Sequence, residues 1–116
     1  MANSALHAIA IEELRHSDPK FHWEYCKVVD GISNLIRKIA QSHPSELDYT
    51  SFTESYDRAS HEPVLQVVIG LHKNEKFLHI YIHKEMYFVV GKSGCGKPAK
   101  TAAQALEMIQ QILSVT

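Results

Sequence analysis

Val64-Leu65-Gln66-Val67-Val68-Ile69-Gly70-Leu71-His72 and Phe77-Leu78-His79-Ile80-Tyr81-Ile82-His83, joined by Lys73-Asn74-Glu75-Lys76, decide the fold of this chain. Aliphatic, β-branched and aromatic residues dominate both runs and polar residues separate them, the pattern of a β-hairpin. A hairpin centred between Asn74 and Glu75 sets Leu71 against Leu78, Ile69 against Ile80, and Val67 against Ile82. These apolar side chains then share one side of the sheet. Lys84-Glu85 makes a second tight connection, to a strand over residues 86–90. In that pairing Ile82 faces Tyr87 and Ile80 faces Val89. The expectation is an antiparallel meander of at least three strands.

The other side of this sheet carries Phe77, His79, Tyr81, His83, Met86 and Phe88, together with Gln66, Val68, Gly70, His72 and Val90. That is more apolar than a face turned to water. A helix, a ligand or another subunit is expected to cover part of it.

Outward from the hairpin the chain reads as helices. Leu6, Ile9, Ala10 and Leu14 recur at helical spacing and predict a short helix over residues 4–16. Asp18 is a good N-cap and Pro19 suits the first helical position, so a second helix starts at 19. It runs to about residue 42 with the stripe Tyr25, Cys26, Val29, Ile32, Ile36 and Ile39, and His43-Pro44 ends it. Gly31 weakens its middle by roughly 1 kcal/mol relative to Ala. Thr101-Ala102-Ala103-Gln104 fits a capping box and opens a last helix over residues 101–114. Its stripe is Ala102, Ala105, Leu106, Ile109, Ile112 and Leu113. Residues 45–62 show no clear period, and an irregular edge strand is the most they suggest. The expected fold is therefore a single α+β domain over residues 1–116, in the order α-α-(β)-β-β-β-α. Two or three helices pack on an antiparallel sheet of three or four strands; the long helix and the C-terminal helix are expected to share the Leu78/Ile80/Ile82 face, and the N-terminal helix is a candidate cover for the other one.

Composition limits the function classes. The chain has 116 residues, 45% hydrophobic and 22% charged, with a net charge of −1. A globally basic nucleic-acid binder is excluded, though not a local basic patch. No apolar run approaches the roughly 20 residues of a membrane helix. Met1-Ala2-Asn3-Ser4-Ala5 has no basic start before an apolar core, so no secretory leader is expected. Cys26 and Cys95 make no disulfide framework, and a reducing, cytoplasmic setting is the expectation.

Gly91-Lys92-Ser93-Gly94-Cys95-Gly96-Lys97-Pro98 comes close to a phosphate-binding loop. Gly91, Gly96 and Lys97 match the Walker pattern, but Pro98 stands where a Mg²⁺-holding hydroxyl belongs. The preceding strand reads as antiparallel, and the helix start lies beyond Lys97 at Thr101. Nucleotide hydrolysis is not expected, and a flexible glycine connection between strand and helix is.

Lys92, Lys97 and Lys100 cluster before a helix N-terminus, whose free N–H groups suit an anion. The run Gly94-Cys95-Gly96-Lys97-Pro98-Ala99-Lys100-Thr101-Ala102-Ala103-Gln104-Ala105-Leu106 resembles the closing motif of double-stranded-RNA-binding domains. Glycines there precede a Lys-x-Ala-Lys start to an alanine-rich last helix. That resemblance implies a helix, three strands and a helix over residues 19–115, with Lys97 and Lys100 touching phosphates across the groove. The sequence departs from the motif at Pro98, lacks Ser-Lys before it, and has Lys73-Asn74-Glu75-Lys76 in place of a Gly-Pro-x-His loop.

Cys95, between glycines and near Lys92 and Lys97, is a candidate reactive thiol, but no signature supplies a partner histidine. His79 and His83 lie about 13 Å apart along a strand, too far for one metal. His72 and His79 would come close in the proposed hairpin, yet lack a third ligand. Cys26 reads as core. Glu46, Asp48, Glu54, Asp57 and Glu62 have no spacing that compels catalysis.

Three functional expectations follow. The first is a non-enzymatic protein-interaction module that binds another protein or itself, as a homodimer, through Phe77, His79, Tyr81, His83, Met86 and Phe88, with no cofactor, catalytic set or metal. The second is double-stranded-RNA or phosphate binding through Lys92, Lys97 and Lys100. The third is an enzyme using Cys95 or a histidine metal site.

Overall fold

A computed structural model describes residues 2–72, 74–92 and 95–114 of the chain. Its elements are α1 (Asn3–Ser17), α2 (Pro19–Ser42), β1 (Leu47–Asp57), β2 (Glu62–Leu71), β3 (Asn74–His83), β4 (Tyr87–Lys92), β5 (Cys95–Ala99) and α3 (Ala102–Leu113). The strands form one antiparallel sheet in the order β1-β2-β3-β4-β5. The expected α+β architecture is present, with five strands instead of three or four.

The central hairpin is tighter than expected. Leu71 pairs with Asn74, Val67 with Leu78, and Leu65 with Ile80. The offset from the expected register is even, so Leu65, Val67, Ile69, Leu78, Ile80 and Ile82 still share one face. All of them are buried.

At the next hairpin the offset is odd, and it changes the face. Ile82 pairs with Phe88 and Ile80 with Val90, not with Tyr87 and Val89. The turn holds three residues, Lys84-Glu85-Met86. Met86 adopts a φ of 67° and donates its N–H to the His83 carbonyl at 3.0 Å. A three-residue hairpin loop ends on a left-handed residue, a position usually filled by Gly. The extra turn residue rotates β4 by one place, so Phe88 and Val90 enter the core.

Residues 45–62, unreadable from periodicity, contain β1 and its hairpin. Asp57 Oδ1 accepts from the N–H groups of Ala59 at 2.9 Å and Ser60 at 3.4 Å, an Asx turn that leads into β2. The glycine segment taken as a flexible connection instead pairs as β5, with Gly91 opposite Gly96 and Val90 opposite Lys97. A phosphate-binding loop runs from a strand directly into a helix. Here the segment doubles back along β4, so that geometry is absent. Pro98 and the short length of β5 blunt this sheet edge.

All three helices pack on the Leu78/Ile80/Ile82 face. Phe21, Tyr25, Val28 and Ile32 of α2, and Ala102, Ala105, Ile109 and Leu113 of α3, join the sheet residues in one core. The stripe of α2 is thus rotated from the expected one, with Cys26 and Val29 half-buried. The rings of Phe21 and Phe88 lie 4.8 Å apart. A Cβ on Gly31 would come within 2.3 Å of the Leu106 side chain, so this glycine lets α2 and α3 approach closely. Ile11 and Leu14 of α1 pack on the edge of the same core, while Ile9 stays exposed. The α3 start is capped as expected. Thr101 Oγ1 accepts from the Gln104 N–H at 3.2 Å, and the Gln104 side chain accepts from the Lys100 N–H at 3.0 Å. No helix in the described residues is long and apolar enough to cross a membrane.

Candidate functional site

Strand parity places two sets of side chains, and the helices cover one set. The uncovered set runs across the sheet in rows of paired residues: Ser55, Val64, Tyr81, Val89 and Pro98, then Thr53, Gln66, His79, Gly91 and Gly96. A third row holds Ser51, Val68 and Phe77. Among the described residues the apolar core cluster that binds the helices includes none of these.

The spine of this face is a column along β3. Phe77 and His79 meet edge to face at 6.1 Å between ring centres, and His79 and Tyr81 at 5.0 Å. Edge-to-face contact suits aromatic rings, whose positive edges meet negative faces. His83 continues the column and stacks on Tyr87 at 4.4 Å. Val68 and Val89 flank it, each half-buried. The ring of Tyr49 lies over Gly70, where a Cβ would clash with it, and its hydroxyl donates to Glu75.

Charge on the face is one-sided. Asp57 and Glu62 stand at one end and Glu75 at the other, and the described strand residues of this face include no lysine or arginine. The backbone N–H of Ala59 is the main cause holding the Asp57 carboxyl below its usual range. Burial pushes the Tyr81 phenol up, and nearby Asp57 adds to it. Burial pushes the His79 imidazole down, so its neutral form is favoured.

Of the residues expected on this face, Phe77, His79, Tyr81 and His83 are there. Met86 sits in the β3–β4 turn at the margin, 36% exposed. Phe88 is not on it. It is fully buried on the helix side, because of the turn residue that shifts β4. Tyr49, Val89 and Pro98 belong to the face and escaped sequence reading. Residues 45–62 carry no period, one extra turn residue shifts β4, and Gly-Lys-Pro gives no strand signal, so only the pairing places them.

The three lysines separate. Lys92 and Lys97 lie on the helix side of β4 and β5 and border one groove beside Met108 and Ile112. Lys100 precedes α3 and does not line that groove. The resemblance to double-stranded-RNA-binding domains implied three strands, whereas the chain has five, and β5 occupies part of the matching run. Cys95 is exposed and pairs with Lys92 across the hairpin. His72 Nδ1 lies 2.7 Å from Asp48, not beside His79, which pairs with Gln66 and Gly91. Among the described residues no three His, Cys, Asp or Glu side chains converge as a metal site.

No protein-family model, curated protein or solved structure matches this chain.

Proposed function

We propose that this protein is a non-enzymatic interaction module that pairs with a second copy of itself through the helix-free face of its sheet. The observation that carries the reading is the Phe77–His79–Tyr81 column, flanked by Val68 and Val89, on a face that no helix covers among the described residues.

Area supports a second copy. Five strands about 4.8 Å apart, rising about 3.3 Å per residue, give a face of roughly 700 Å² in projection. A standard interface takes about 800 Å² from each partner. Two such faces stack as a sandwich with their sheets about 10 Å apart. Charge supports a protein over a nucleic acid, since Asp57, Glu62 and Glu75 repel phosphates. These acids stand at the ends of the face, where a polar rim stays hydrated.

Size-exclusion chromatography with light scattering, at low and high salt and after nuclease treatment, tests the reading. A nucleic-acid-free dimer at both salts, lost in Tyr81→Asp, is expected. A monomer carrying nuclease-sensitive material released by salt overturns it in favour of the lysine-based reading.

A further inference from the structure

On the opposite side of the molecule, α3 and the β4–β5 hairpin enclose a groove of about 570 Å³. Its floor is apolar. Val90 is buried on β4, and Met108 and Ile112 are half-buried on α3. Met108 and Ile112 are one turn apart and lie beside the core stripe Ala105/Ile109/Leu113, so they line the flank of α3 that the core leaves over. Lys92 and Lys97 stand on the rim, with Gln111 across from them.

Among the described residues no acid lines the groove. Neither lysine has an ion-pair partner among the described residues. Glu75 is the acid of the neighbouring cleft that Lys92 also borders, and it holds the Tyr49 hydroxyl. Lys76 in that cleft donates to the Ser114 carbonyl beyond α3. The groove therefore combines an apolar bed of ligand size with a paired, uncompensated positive rim.

We propose that this groove binds an amphipathic carboxylate, an aliphatic or aromatic body ending in one anionic head. The body lies on Val90, Met108 and Ile112. The carboxylate accepts from the ammonium groups of Lys92 and Lys97, and charge-assisted bonds of this kind are the strong ones. Cys95, exposed beside the lysines, is a built-in reporter of occupancy.

The experiment titrates the full chain with decanoate below its micelle concentration. Calorimetry follows binding, and mass spectrometry follows the rate of iodoacetamide labelling at Cys95. Saturable binding that slows Cys95 labelling is expected, weakened about tenfold or more in Lys92→Ala/Lys97→Ala, which is about 1.4 kcal/mol or more. Both lysines are exposed, so the variant keeps its fold. Met108→Ala is the second variant and weakens binding through the floor. Equal affinity for decanol, equal protection by acetate, an unaffected double-lysine variant or no saturable binding each overturns the proposal. Met108 lies on the other side of the sheet from Tyr81, so Met108→Ala and Tyr81→Asp separate a failure of this proposal from a failure of the dimer reading.

Discussion

Tyr25 on α2 and His7 on α1 share a hydrogen bond of 2.8 Å inside the protein, between the phenol oxygen and Nε2. The other imidazole nitrogen, Nδ1, lies 2.8 Å from the Ser55 carbonyl on β1. A carbonyl only accepts, so the neutral ring carries its proton on Nδ1 and accepts from Tyr25 at Nε2. His7 thereby ties α1 to α2 and to the β1 edge, and it is the buried polar residue of α1. A weakly patterned helix is held by a polar clip where its apolar stripe is thin.

Tyr25→Phe removes the donor to the buried Nε2 of His7, and the Glu54 carboxylate 4.0 Å from that nitrogen only accepts. The expected loss is about 1–3 kcal/mol of unfolding free energy near neutral pH, read by urea denaturation. Burial also pushes the Tyr25 phenol up. The unfolded chain then releases this proton at a lower pH than the folded one. Stability from this group is intact below the ordinary phenol range and falls as pH rises above it, by up to about 1.4 kcal/mol per pH unit. Tyr25→Phe should lack that alkaline decline, so wild type and variant converge between pH 9 and about 11. Parallel curves refute the burial argument.

Phe77 and Phe88 look equivalent in sequence and should respond in opposite ways. Phe88→Ala empties a fully buried site and costs about 3–5 kcal/mol. Phe77→Asp lies on the helix-free face and should cost about 1 kcal/mol or less while abolishing the dimer. Thermal melts and light scattering on both variants separate the two effects.

The proposed dimer should weaken in acid. His79 is held towards its neutral form by burial, and a stacked partner sheet buries it further. Gln66 and Gly91 oppose it, Phe77 and Tyr81 flank it, and the charged groups of the face stand at its ends. Among the described residues no carboxylate is paired with His79 to stabilise the imidazolium. As pH falls through and below the ordinary histidine value, the free protomer takes up the proton first and the dimer loses out. The dissociation constant should rise at least about tenfold from pH 7.5 to 5.5, and His79→Gln should flatten the dependence. Sedimentation equilibrium across that range decides it.

Gly31 and Leu106 should be energetically coupled. Gly31→Ala gains about 1 kcal/mol of helix propensity but drives a Cβ into Leu106. Overpacking of this kind costs about 1–3 kcal/mol, so the single variant should be destabilised. In a Leu106→Ala background the same change should stabilise the protein by up to about 1 kcal/mol. A double-mutant cycle by chemical denaturation measures the difference, and additive effects would show that the helices do not meet here.

What was legible in the sequence was legible for local reasons. Asp18-Pro19 and Thr101 through Gln104 mark helix starts because capping is set within one turn of chain. Alternation in Val67, Ile69, Leu78, Ile80 and Ile82 identified a core face that survived an even error in register. The turn Lys84-Glu85-Met86 carries no such mark. A methionine at a positive φ is a choice that tertiary packing imposes, and one added turn residue sent Phe88 inward and Val89 outward. The pairing of β5 likewise depends on contacts with β4 that a Gly-Lys-Pro composition does not announce.

The amino-acid sequence by itself determined the three helices, the central strands, the α+β class and one buried face, because periodicity and capping act over a few residues. Only the tertiary structure decided that all three helices share that face, that Phe77, His79 and Tyr81 are left without a helical cover, and that Lys92 and Lys97 share a groove apart from Lys100. Those arrangements depend on which strand pairs with which, and in what register. That is a long-range choice, stabilised by the whole core and not by any single segment.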